Sequence, residues 1–61
     1  MRLVKFTRTD GDEAWVNPEA VSHVTVNKPP LVAGTGITFM NGLTLVVRER
    51  PEQAVIMLES S

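Results

Sequence analysis

Cysteine is absent from the 61 residues, and there is one histidine and no tyrosine. The first absence excludes a disulfide, and a lone histidine without cysteine excludes a structural zinc site of the usual kind. Those are the common staples of very small domains, and a chain of this length buries only about 60% of the surface its unfolded form exposes. Oligomerisation is the staple left over. No apolar run approaches the ~20 residues a membrane-spanning helix requires. Excess charge is missing too: six Lys and Arg against seven Asp and Glu leave a formal net charge of −1. No long-range field attracts a polyanion, so a nucleic-acid role would need a local basic patch. The start, MRLVKFTRTD, reads as a strand rather than a signal peptide, because Arg2, Lys5 and Arg8 interrupt any apolar core. A cytoplasmic location is the default expectation.

What is present is a pattern stated twice. Lys5 to Val21 and Ile37 to Val55 each run strand, tight turn, strand, Pro-Glu and Ala-Val. The copies align on Asp10-Gly11 with Asn41-Gly42, on Pro18-Glu19 with Pro51-Glu52, and on Ala20-Val21 with Ala54-Val55. Period-two alternation of Val4 and Phe6 with Leu3, Lys5 and Thr7 predicts a strand over Leu3 to Arg8 with one face buried. Asp10-Gly11 predicts a primed hairpin turn, since glycine accepts positive φ and aspartate tolerates it. The partner strand is Glu13 to Asn17, with Ala14 and Val16 inward and Trp15 outward.

Asn17-Pro18-Glu19-Ala20 predicts a single helical turn, capped by Asn17 and started by a proline whose φ is already set. Alternation resumes over Val21 to Val26 and predicts a third strand with Val24 and Val26 inward. Asn27 to Gly36 is the longest irregular stretch. Asn41-Gly42 between two alternating apolar runs predicts a second hairpin, with Ile37 and Phe39 near Leu43, Leu45 and Val47. Pro51-Glu52-Gln53 then opens a helix to about Glu59 that lays Ala54, Val55 and Leu58 on the sheet and turns Ile56 and Met57 aside. The expected fold is a single α+β domain, mainly β: about five antiparallel strands in two related hairpins, partly closed, plus one short C-terminal helix.

Along FTRTDGDEAWVNPEAV and ITFMNGLTLVVRE the chain resembles the small FlbD/SwrD-type flagellar proteins of bacteria. Thr7-Arg8, Gly11, Asn17-Pro18, Ile37-Thr38, Asn41-Gly42 and Val46-Val47-Arg48-Glu49 carry the resemblance, which covers most of the chain. It implies an accessory role in flagellar motor output and brings no catalytic residues. The chain departs from that pattern in a longer, more apolar middle connection around Pro29-Pro30, and in Ile56 and Met57 where the family tends to carry charge. Small bacterial and phage proteins of unassigned role look similar.

Catalysis finds little to work with. His23 has no serine motif or second histidine beside it. Asp10, Asp12 and Glu13 are too few and too close for a calcium loop of about twelve residues. Gly34-Thr35-Gly36 leads into a strand rather than a helix, so no helix N-terminus is there to hold a phosphate. No catalytic, cofactor-binding or metal residue is expected.

Surplus apolar groups are the stronger signal. Trp15, Leu31, Val32, Val46, Ile56 and Met57 exceed what one small core absorbs, and together they predict a self-associating or partner-binding surface. The alternative is a nucleic-acid surface built from Lys5, Arg8, Arg48 and Arg50, with Trp15 as a stacking platform. Glu13, Glu49 and Glu52 would offset much of that field, and ordinary cross-strand ion pairs compete with it as an account of the basic residues.

Overall fold

The computed structural model describes residues 2–30 and 33–60. The element order is β1 (Val4–Thr7), β2 (Glu13–Val16), a 3-10 turn (Pro18–Ala20), β3 (Val21–Asn27), β4 (Gly34–Phe39), β5 (Thr44–Val47) and α1 (Pro51–Glu59). The fold is the expected mainly-β α+β arrangement, with antiparallel sheets of two and three strands.

Both hairpins close on the same local chemistry, and it differs from the expected primed turn. Arg8 N–H donates to Asp12 O at 2.7 Å and Gly11 N–H to Arg8 O at 2.9 Å; Phe39 N–H donates to Leu43 O at 2.8 Å and Gly42 N–H to Phe39 O at 2.9 Å. Each is therefore a three-residue loop in which only the glycine takes positive φ, 96° at Gly11 and 89° at Gly42. Asp10 and Asn41 keep negative φ and use their side chains instead, each accepting the N–H two residues on, at 2.9 and 3.0 Å. The Asn17 side chain caps the 3-10 turn as expected, accepting from Glu19 N–H at 3.0 Å.

The two sheets meet at a seam. Arg8 bridges Val47 in antiparallel fashion, and Arg48 N–H donates to Thr7 O at 2.8 Å. The order across the molecule is thus β2-β1-β5-β4-β3, curled so that Phe6, Val16, Ile37, Val47 and Ala54 are buried together. Glu49 fastens the seam: both carboxylate oxygens accept Thr7 N–H, at 3.0 and 3.1 Å, and its carbonyl accepts the hydroxyl of buried Thr35.

Several side chains face otherwise than their spacing suggests. The ladder shifts register between Val21 and His23, so Val21 and Val24 pack on the core, while Val26, on the edge strand opposite buried Thr35, is itself exposed. Leu43 sits beside the turn and is likewise exposed. In α1 the buried stripe is Ala54, Met57 and Leu58, the i, i+3, i+4 set of a true helical face. Met57 therefore packs inward and Val55 outward, the reverse of the expectation. β4 begins at Gly34 rather than Ile37, because Asn27↔Gly34 and Val26↔Thr35 extend the pairing into what reads as loop.

Candidate interaction surface

β1 and β2 display their outer face through the register Lys5↔Trp15 and Thr7↔Glu13. Directly opposed residues share a face, so Trp15 and Lys5 stand together, with Leu3 two residues before Lys5. Trp15 is 58% exposed, a large apolar surface for water to cover. Ile56, on the side of α1 away from the buried stripe, is 63% exposed. Val46 is half-buried, opposite Gly36 in the ladder. A Cβ at Gly34 would lie 2.9 Å from Val46 Cγ1 and 2.8 Å from Val47 O, so that glycine makes room for Val46. Val46 thus spends part of its surface inside the molecule. Met57 spends its surface on the core. Leu31 and Val32 lie outside the described residues.

Besides Val55, sequence reasoning missed four exposed apolar residues: Leu3, Val26, Met40 and Leu43. Met40 and Leu43, 72% and 67% exposed, flank Asn41-Gly42. Their position beside a turn signal was the available clue, since the ends of a hairpin overhang a core this small. Leu3 was legible from its alternation with Val4. Val26 required the register shift.

The basic residues are brought together only in part. The seam places Arg48 opposite Thr7, on the outer face with Lys5 and Trp15, whereas Arg8 opposes Val47 on the other face. Arg8 and Arg48 converge on the β1–β2 turn. Arg48 donates to Thr9 O at 3.0 Å, and Arg8 stands 3.9 Å from Asp10. Lys5 is 3.9 Å from Glu13 across the strands. Arg50 is exposed at the N-cap of α1 and makes no side-chain capping bond. The basic groups are interleaved with Asp10, Asp12 and Glu13, and exposed pairs of this kind contribute at most about 1 kcal/mol each.

Among the described residues no three His, Asp or Glu side chains are grouped as a metal ion would require. His23 is exposed, with its Nδ1 3.2 Å from Ser22 Oγ. No helix among the described residues is long and apolar enough to cross a membrane. No family model, curated protein or solved structure matches the chain.

Proposed function

We propose that the chain is a non-enzymatic interaction module that works as a homo-oligomer in the cytoplasm, in a setting such as the flagellar accessory role its FlbD/SwrD-type resemblance implies. The observation that carries this reading is the imbalance between core and surface. Among the described residues five apolar side chains are buried, while Trp15, Met40, Leu43, Ile56, Leu3, Val26 and Val55 are exposed. A domain with so thin a core gains stability by mass action when copies cover that surface for one another. Sedimentation equilibrium at micromolar concentration tests it. An assembly is the expected result, and a well-folded monomer throughout the range overturns the reading.

A second reading rests on one arrangement, the shared outer face of Trp15, Lys5 and Arg48. An aromatic ring beside basic groups is what single-stranded nucleic acid uses for stacking and phosphate contact. Affinity for a single-stranded oligonucleotide that falls steeply with salt, and is lost in Arg48→Ala with Arg50→Ala, would favour it. The ion pair at Lys5 and the carbonyl contact of Arg48 weigh against it.

A further inference from the structure

The direction of the backbone groups along β3 can be worked out from the hairpin bonds. Phe39 N–H donates to Leu43 O. In an antiparallel strand, successive residues turn their N–H and C=O to opposite sides. Hence Phe39, Ile37 and Thr35 face β5, and Thr38, Gly36 and Gly34 face β3. Met40 N–H reaching Ala20 O agrees with that alternation. Through the register His23↔Thr38, Thr25↔Gly36 and Asn27↔Gly34, those three β3 residues exchange ladder bonds with β4. Val24 and Val26 consequently turn their N–H and C=O outward. β3 pairs with β4 alone, and no other hydrogen bond among the described residues reaches these groups.

Natural sheets blunt such an edge with charge, proline, a bulge or brevity. β3 has the sequence VSHVTVN, seven residues without Lys, Arg, Asp, Glu or Pro. The register shift between Val21 and His23 disturbs its upstream end, and Lys28 with the Pro29-Pro30 turn closes its downstream end, which leaves the stretch from His23 to Asn27 free of both charge and proline. The other free edge is treated differently. β2 has four residues, carries exposed Glu13, and runs within two residues into the Pro18 turn.

We propose that the open edge of β3 is the dimer interface, and that its occupant is β3 of a second copy, paired antiparallel about a two-fold axis at Thr25. This places the self-association proposed above on one edge, where it covers Val26 of the exposed apolar set, and rests on that reading. The axis position follows from the outward groups. Val24 must face Val26 of the second copy, so each N–H meets the other's C=O reciprocally and every outward group of the segment is satisfied. On one face Thr25 then meets Thr25, and His23 meets Asn27, pairs of polar side chains. On the other face Val26 packs beside Val24 of the second copy. That contact accounts for a valine left 56% exposed in the single chain. Two copies of a strand without Lys, Arg, Asp or Glu meet, and the two Lys28 side chains fall roughly 20 Å apart at about 3.3 Å per residue. The symmetric pairing also closes, giving a dimer rather than a fibre.

Val26 offers a clean test because its N–H serves no bond within one chain. Val26→Pro removes that donor from the outer edge and leaves the bonds to β4 in place; Val26→Lys adds an edge charge at an already exposed position. Wild type and both variants are compared by sedimentation equilibrium, with circular dichroism to establish the fold. The expected result is a wild-type dimer whose dissociation constant rises roughly thirtyfold or more in Val26→Pro, from the loss of a bond on each side of the axis. Val26→Lys, which keeps the monomer fold even if the proline does not, is expected to weaken it as well. A wild-type dimer that Val26→Lys leaves intact while Trp15→Glu breaks it overturns the edge assignment alone. A wild type that remains monomeric overturns the self-association reading itself.

Discussion

The two free edges of the sheet, β2 and β3, belong to the same curled surface and face opposite risks. β2 is four residues long with a charged side chain at its start and a proline turn at its end. β3 is nearly twice as long and has its charge and proline, Lys28 and Pro29-Pro30, only beyond its paired residues. The difference is not one of core packing, because each strand gives its inward residues to the same cluster, Val16 from one and Val21 and Val24 from the other. It lies in what surrounds the outward backbone groups. An edge that must stay single has to be spoiled, and β2 is spoiled within its short span, whereas β3 is left unspoiled from His23 to Asn27.

The largest effect comes from moving a proline by one residue along β3. Thr25→Pro removes an N–H that serves the ladder to β4, leaves a strand partner unsatisfied, and should cost about 2–3 kcal/mol, a large fraction of the stability of a domain this small. Urea denaturation should find it largely unfolded or strongly weakened, while Val26→Pro keeps most of the wild-type stability. Equal losses in the two variants would break the assignment of inward and outward groups on which the contrast between edges depends.

That alternation of facing groups was only half legible in the sequence. The hairpins, the 3-10 turn and the helix follow from Asp10-Gly11, Asn41-Gly42, Pro18 and Pro51, residues whose preferences act over two or three positions. Trp15 and Ile56 are outward as their spacing predicts. The register shift near Ser22 was hidden, because an inserted residue changes pairing without changing composition, and it is the shift that brings Val21 and Val24 to one face. The facing of Met57 and Val55 was misjudged by taking adjacent residues for one helical stripe. The seam between β1 and β5 depends on Glu49 meeting Thr7 N–H across 42 positions of sequence, which no local pattern announces.

Glu49 gives the next largest effect, since it holds together the two sheets that end in the two edges. Glu49→Ala leaves the part-buried Thr7 N–H without its carboxylate and should cost about 1.5–3 kcal/mol; Glu49→Gln, which still offers an acceptor, should recover part of it. Thermal or urea denaturation checks both. A loss no larger than that of a surface substitution would mean the seam is held by the Arg8–Val47 bridge alone.

Trp15→Ala probes the β2 side at smaller scale. An exposed side chain away from the core should change stability by no more than about 0.5 kcal/mol, and sedimentation should find the dimer weakened far less than by Val26→Pro. The smallest expected effect is that of Glu13→Thr, which gives β2 the uncharged character of β3. Loss of an exposed ion pair at 3.9 Å should cost under about 1 kcal/mol. Light scattering at high concentration should detect a modest rise in species larger than the dimer, as a second edge becomes available.

The most direct measurement is amide hydrogen exchange of the wild-type chain, read residue by residue at low and high protein concentration. Protection at Val24 and Val26 should rise with concentration, while the outward amides of Glu13 and Trp15 on the β2 edge keep their rates. Exchange at Val24 and Val26 that is fast and independent of concentration, in a sample that sedimentation finds dimeric, would contradict pairing through β3.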